Sequence, residues 1–197
     1  STCLVGSEMC IRDRYLNLAQ LSDEKLLKGC LRGDRTAQKQ LYMKYKASMF
    51  GVCLRYAKSR TEAEDFLQEG FIKIYRDLYQ YKPIGPLGGW MRRVVVNVAL
   101  QHIRRRKNLF ADINIDDVAY NYAADEEVFT NFRMKALLEM IQKLPDGYQA
   151  VFNMYVIEGF THKEIAKQLN ITVNTSKSQL SRAKKTLRQM LEKELTN

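Results

Sequence analysis

The sequence predicts an all-α protein, and three observations carry that prediction. Only three prolines occur in 197 residues. Apolar residues recur at spacings of three and four over long stretches. Two of those stretches open with a Thr-x-x-Glu pair, the mark of a capping box, at Thr61/Glu64 and Thr161/Glu164. With 46% hydrophobic residues the chain can bury a core, and its length suffices for two small domains. Thirty-two Lys and Arg against 22 Asp and Glu leave a formal net charge of +10. That balance points to an anionic partner, nucleic acid ahead of an acidic membrane surface. No apolar run approaches the roughly 18 residues of a membrane span, so no membrane insertion is expected.

Residues 1–20 are set aside and expected to be disordered. STCLVGSEMCIRDR has no helical period, and VGSEMCIRDR resembles a translated sequencing adaptor. Its apolar run is too short for a signal peptide and is broken by Glu8. From Leu21 the pattern becomes helical. Ser22 and Asp23 cap a short helix to Cys30, which Gly33 ends. Asp34 starts a longer helix through Tyr56, with Leu41, Tyr45, Met49, Val52 and Cys53 as its apolar positions.

Residues 61–81 read as an amphipathic helix opened by the Thr61/Glu64 box. Ala63, Phe66, Leu67, Phe71, Ile74 and Leu78 form its buried stripe. Asp65 and Glu69 lie one turn apart on the exposed side, with Glu62 and Gln68 beside them. An acidic patch on so basic a chain repels DNA, so it faces solvent or a basic protein. A solvated face whose carboxylates favour the helix dipole gives the same pattern.

Residues 82–89, KPIGPLGG, are read as a break, because two prolines and three glycines oppose a helix. Trp90 to Lys107 resumes a helix carrying Arg92, Arg93, Arg104, Arg105, Arg106 and Lys107 and no acid. Met91, Val94, Val95, Val98 and His102 form one face, and Arg93, Asn97, Leu100 and Arg104 the other. The basic face suits phosphate tracking. Trp90, with Tyr79 and Tyr81 nearby, is either a stacking platform or a core residue. His102 is expected to be a hydrogen-bonded core histidine.

Residues 108–127 reverse the charge with Asp112, Asp116, Asp117, Asp125, Glu126 and Glu127, and show no period. They read as an acidic flexible linker, able to occupy a basic channel in a partner as nucleic acid would. A helix over 128–144, a turn at Pro145-Asp146-Gly147 and a helix over 148–158 ending at Gly159 follow.

The most informative stretch is 160–191. The Thr161/Glu164 box opens a helix whose Ile165, Ala166 and Leu169 share one face. Asn170 ends it in the left-handed conformation that a tight turn needs, and Thr172 caps the next helix. There Val173, Ser176, Leu180, Ala183 and Leu187 face inward. Asn174, Thr175, Ser178, Ser181, Arg182 and Lys185 face outward, with Lys177 and Gln179 on the flanks. Two short helices joined this way form a helix-turn-helix, whose second helix suits the major groove. Amides pair with adenine, Arg with guanine, and Lys and Ser with phosphate. An ordinary helical hairpin with a basic solvated face shares the pattern.

Cys3, Cys10, Cys30 and Cys53 form no CxxC pair, and with only His102 and His162 available, zinc-ligand spacing is absent. No metal site, cofactor or catalytic constellation is expected. HxE, paired carboxylates in a pocket-like context and a Gly-rich phosphate loop are all missing.

Taken together, three segments resemble bacterial RNA polymerase sigma factors of the extracytoplasmic-function (ECF) group. EAEDFLQEGFIKIY (62–75) resembles that family's core-polymerase-binding helix, and WMRRVVVNVALQHIRRRK (90–107) its −10-element helix. LPDGYQAVFNMYVIEGFTHKEIAKQLNITVNTSKSQLSRAKKTL (144–187) resembles its −35-reading domain. NTSKSQLSRAKK is similar to the versions found in Bacteroidetes-type bacteria. The resemblance implies two helical domains, 21–107 and 128–197, joined by the acidic linker. It implies that Asp65, Gln68 and Glu69 dock on the polymerase β′ subunit and that the 82–89 loop captures a flipped base. Trp90, Arg92, Arg93, Asn97, Arg104 and Arg105 would hold the −10 strand. Thr172, Asn174, Thr175, Lys177, Ser178, Gln179, Arg182 and Lys185 would contact the −35 element.

The implied partners are core RNA polymerase (β′ and β), promoter DNA and an anti-sigma protein, in the cytoplasm, with no enzymatic activity. Gln101, Leu87-Gly88-Gly89 and Gln179 depart from the family pattern, which bears on the promoter sequence read. A stand-alone helix-turn-helix regulator is the alternative. It needs a ligand or receiver domain, and residues 21–107 show no βαβ alternation.

Overall fold

Side-chain caps set where the helices begin. In the computed structural model, which describes residues 22–109 and 132–196, Ser22 accepts from the Lys25 N–H to open α1 (Asp23–Leu31). Gly33, at φ 78°, turns the chain, and Asp34 accepts from the Thr36 N–H at 2.8 Å to open α2 (Arg35–Tyr56). The two helices cross closely at Gly29, where a Cβ would lie 2.5 Å from that of Ala37. The readings for residues 1–20 and for the 108–127 linker fall on 1–21 and 110–131, outside the described residues apart from 108 and 109, which end α4 below.

The N-cap of α3 (Arg60–Asp77) lies two residues earlier than the Thr61 the sequence suggested. Ser59 has the extended backbone an N-cap needs and accepts from the Glu62 N–H at 3.1 Å. The Glu62 carboxylate accepts from the Lys58 N–H at 2.6 Å. Thr61 is already helical, and Glu64 pairs with Arg60 at 3.0 Å, so the expected Thr61/Glu64 box does not form. A 3-10 turn, Leu78–Gln80, ends the run before Tyr81. The break is also shorter than expected, because Leu87, Gly88 and Gly89 form the first turn of α4 (Leu87–Leu109). A Cβ on Gly88 would sit 2.9 Å from the Tyr45 ring, so this glycine admits close packing of α4 on α2.

The second half contains α5 (Phe132–Gln142), α6 (Asp146–Phe152), a π-helical turn (Asn153–Ile157), α7 (His162–Leu169) and α8 (Val173–Thr196). Pro145-Asp146-Gly147 is not a free turn. Pro145 occupies the N-cap of α6 and Asp146 begins it. The helix expected over 148–158 widens to π geometry at Asn153, then stops at Gly159 with φ 76°. Among the described residues the secondary structure is helical throughout, as predicted.

Helix α2 is the axis of the packing and contacts α1, α3, α4 and α5. The predicted α3 stripe is buried in full. Over Met49 to Lys58, α2 is covered on nearly all sides rather than on one stripe. The α1–α4 module covers one side of it and α5 the other. Helix α4 is wedged between α2 and α3. Leu100, expected on its outer face, is therefore 1% exposed, with Val96 and Ile103 buried too. In the second module α8 packs on α5, α6 and α7. One apolar cluster runs from Leu26 to Leu180 through both modules.

Gly29→Ala is expected to cost about 1–3 kcal/mol by overpacking the α1–α2 crossing. Gly85, with nothing within 4 Å of its Cβ position, serves as control, and Gly85→Ala should shift urea-unfolding stability by less than about 0.5 kcal/mol.

Candidate nucleic-acid interface

The helix-turn-helix forms as its residues dictate. Thr161 accepts from the Glu164 N–H while the Glu164 carboxylate accepts from the Thr161 N–H and hydroxyl, both at 2.8 Å. This is the predicted capping box. Asn170 closes α7 at φ 53°, ψ 50°, the left-handed conformation expected of it. Thr172 Oγ1 accepts from the Thr175 N–H at 3.0 Å and caps α8. Inside the module Ile165, Ala166, Leu180 and Ala183 are buried, and Ser176, fully buried, bonds His162 Nδ1 at 2.9 Å.

The outward side of α8 presents Thr172, Asn174, Lys177, Ser178, Arg182 and Lys185 to solvent. Thr175 is half-buried and its hydroxyl pairs with Thr172. Gln179 turns away from this face, because its amide lies against Gly147 at the start of α6. Lys184 and Arg188, not singled out from the sequence, are exposed and continue the stripe of Lys177 and Ser181. The i+7 and i+11 spacing was the available signal.

On α4, Arg93, Asn97, Arg104 and Arg105 are exposed. Trp90 is half-buried, its ring 5.9 Å from that of Tyr81. The Tyr81 hydroxyl donates to the Gly85 carbonyl and ties the loop, leaving Ile84 90% exposed. Arg92 is different. It forms a two-pronged pair with Glu158 of the second module, at 2.6 and 2.9 Å.

On α3, Asp65 and Gln68 are exposed, while Glu69 bonds His102 Nε2 at 2.5 Å. His102 is therefore a half-buried partner of the acidic face rather than a core residue. Ile72, one turn beyond Gln68 and Glu69, is 67% exposed. The sequence reading passed over it, although an apolar side chain in an acidic exposed patch suits a protein surface better than DNA.

Cys30 and Cys53 are buried free thiols, and burial pushes the Cys53 thiol up to about 12, which leaves it inert. Among the described residues no cluster of His, Cys, Asp or Glu could hold a metal ion. None of the described helices is long and apolar enough to cross a membrane.

A cationic groove-sized helix on a helix-turn-helix, joined to a helical module with its own exposed cationic helix and an acidic face, defines a DNA-binding protein with a protein partner. Comparison with known families gives that class its identity. Residues 41–109 match the family model for sigma-70 region 2, and residues 134–187 match that for sigma-70 region 4. The two together span more than half of the chain. It is 26% identical over 186 residues to the RNA polymerase sigma-H factor of Pseudomonas aeruginosa, covering 89% of this chain and 96% of that one. It is 27% identical over 179 residues to the ECF RNA polymerase sigma factor SigW of Bacillus subtilis, covering 85% and 96%. Its fold matches that of the sigma factor RpoE in a co-crystal structure with the anti-sigma factor NepR from Bartonella quintana. The TM-score is 0.54 at 17% identity, covering 78% of this chain and 96% of that one. The chain belongs to the sigma-70 family of RNA polymerase sigma factors, in its ECF group. It is a transcription initiation factor, not an enzyme.

Hydrogen bonds from the Thr161 backbone and hydroxyl hold the Glu164 carboxyl below its usual range. A depressed carboxyl stabilises the fold above the ordinary glutamate value of 4.5 and loses that contribution as pH falls through its lower folded value. Acid titration of helix-turn-helix stability, followed by circular dichroism, should therefore flatten below pH 4.5 in Glu164→Gln relative to wild type.

Proposed function

We propose that the chain recruits core RNA polymerase through α3, reads the −35 element with α8, and holds the melted −10 strand with α4 and the 81–86 loop. One observation carries this reading: two exposed cationic helices sit on separate modules of a chain that also presents acidic Asp65, with Gln68 and Glu69 beside it, on α3. Asp65, Gln68 and Glu69, with Ile72 among them, form the polymerase-docking face. Charge complementarity there favours a basic surface such as a β′ helical element. The region-2 module takes in α1 to α4 and the region-4 module α5 to α8.

On α8, Asn174 and Arg182 are the base readers, and Lys177, Ser178 and Lys185 grip phosphate with Thr172 and Thr175 at the helix N-terminus. Gln179 supports the reading helix against Gly147. On α4, Arg93, Asn97, Arg104 and Arg105 track the −10 strand. Trp90 and Tyr81 flank a loop suited to receive an unstacked base. Arg92 joins this set once Glu158 releases it. The protein acts in the cytoplasm, where polymerase and promoter are. An anti-sigma protein is the partner that would govern its availability.

Reconstitution with core polymerase tests the reading: promoter-specific initiation should depend on this chain. Site-specific DNA binding by the free protein, with no contribution from polymerase, would count against it. Asp65→Arg should lower polymerase affinity at least about tenfold and leave the helical content unchanged. Unchanged affinity would show that the docking face is misassigned. Arg182→Ala should cost about 1–3 kcal/mol of −35 binding and relax base preference at one position, whereas Lys177→Ala should weaken all sequences alike.

A further inference from the structure

His102 has no part in the proposed function, yet its place is well defined. Helices α3 and α4 run close together, and a Cβ on Gly70 would lie 3.0 Å from Val95 Cγ2. Two turns beyond Val95, His102 meets both Phe66 and Glu69 of α3. Its ring centre lies 4.8 Å from that of fully buried Phe66. Its Nε2 lies 2.5 Å from Glu69 Oε2. An ionised carboxylate only accepts hydrogen bonds, so the imidazole is the donor. Arg106, one turn further along α4, is engaged by Glu62 at 2.9 Å.

The rest of the acidic face is not held this way. Asp65 and Gln68 are exposed and, among the described residues, make no hydrogen bond or ion pair. The Glu69 side chain is anchored yet still 41% exposed, and that of His102 is 30% exposed. A carboxylate has about four acceptor positions, so one bond to His102 leaves it open to a partner. Hydrogen bonds to a carboxylate are roughly twice as strong as neutral ones, enough to bias a surface rotamer. Ordering a long side chain at an interface costs affinity, and a side chain ordered beforehand avoids that loss.

We propose that His102 is a positioning residue for polymerase docking: from α4 it fixes Glu69 of α3 in the rotamer that core RNA polymerase meets. The inference rests on the docking reading of α3 and adds to it a residue of the helix proposed to hold the −10 strand. His102 acts through Glu69 and touches no partner itself. A staple serving only the packing of α3 on α4 would use the same two atoms. Such a staple needs an acceptor at position 69 but no charge there, whereas docking on a basic surface needs the charge.

Titration of the full-length chain with core RNA polymerase, beside urea midpoints from circular dichroism, tests this. His102→Met keeps the bulk without a donor and should weaken binding about threefold to tenfold, the range for disordering one long side chain. His102→Gln restores an N–H donor and should bind within about twofold of wild type. Glu69→Gln keeps an acceptor for His102 but loses the charge. It should weaken binding with the urea midpoint unchanged, and adding His102→Met to it should cost less than about twofold more. Equal losses from His102→Gln and His102→Met, wild-type binding by Glu69→Gln, or one and the same His102→Met loss in both backgrounds would each overturn the positioning role. If in that event Asp65→Arg also leaves affinity intact, the docking reading falls with it. If Asp65→Arg weakens binding, that reading stands and the role of His102 alone is lost.

Discussion

The last turn of a helix leaves carbonyls with no partner further along the chain. In α2 those carbonyls, on Leu54, Arg55 and Ala57, point toward the second module, and three amide side chains from it complete them. Lys58 follows at once, and its ammonium, which has three protons to donate, meets two carbonyls and a carboxylate. Burying an ammonium costs several kcal/mol unless such partners are in place. Burial indeed pulls the Lys58 ammonium below its usual range, with Asp146 opposing. The arrangement of the two modules therefore rests on this helix end and the groups that cap it from outside its own domain, together with the apolar cluster the modules share.

That dependence divides the cations by role. Arg55, Lys58, Arg92 and Arg106 are engaged in holding the modules together. Arg93, Arg104 and Arg105 on α4, and Lys177, Arg182, Lys184, Lys185 and Arg188 on α8, remain turned to solvent. The acidic groups divide likewise. Glu62, Asp146 and Glu158 serve the seam between the modules, and Asp65 stays exposed on α3. A net charge alone could not separate these sets, since only burial and partners distinguish a gripping arginine from a structural one.

Much of this was legible from local rules. The Thr161/Glu164 box, the left-handed Asn170 and the α3 stripe follow from steric and capping constraints that act within one turn, and all appear as read. The Thr61/Glu64 box failed locally, to the Ser59 cap two residues before it, whereas other departures come from longer-range contacts. Leu100 looked outward because a single stripe was assumed, yet two helices cover α4. The neighbour of the Gln179 amide, Gly147, is 32 positions away and gave no local signal. The Arg92 partner, Glu158, is 66 residues distant and gave no local signal either. The apolar run MFGVCLRYA, which shows almost no helical asymmetry, held the available hint that α2 is buried all round. Polar residues of the seam gave no such hint, because Gln149 and Asn153 resemble any solvated helix position until their acceptors are placed.

In the proposed function, two cationic helices of one chain act on separate stretches of one promoter. Photo-crosslinkers at Arg93 and at Lys177 in the complex with polymerase and promoter test this most directly. Arg93 should crosslink to the unpaired strand at the −10 element and Lys177 to duplex DNA about 25 base pairs upstream, in the same complex. Crosslinks from both positions to a single overlapping segment, or none from Arg93, would contradict it.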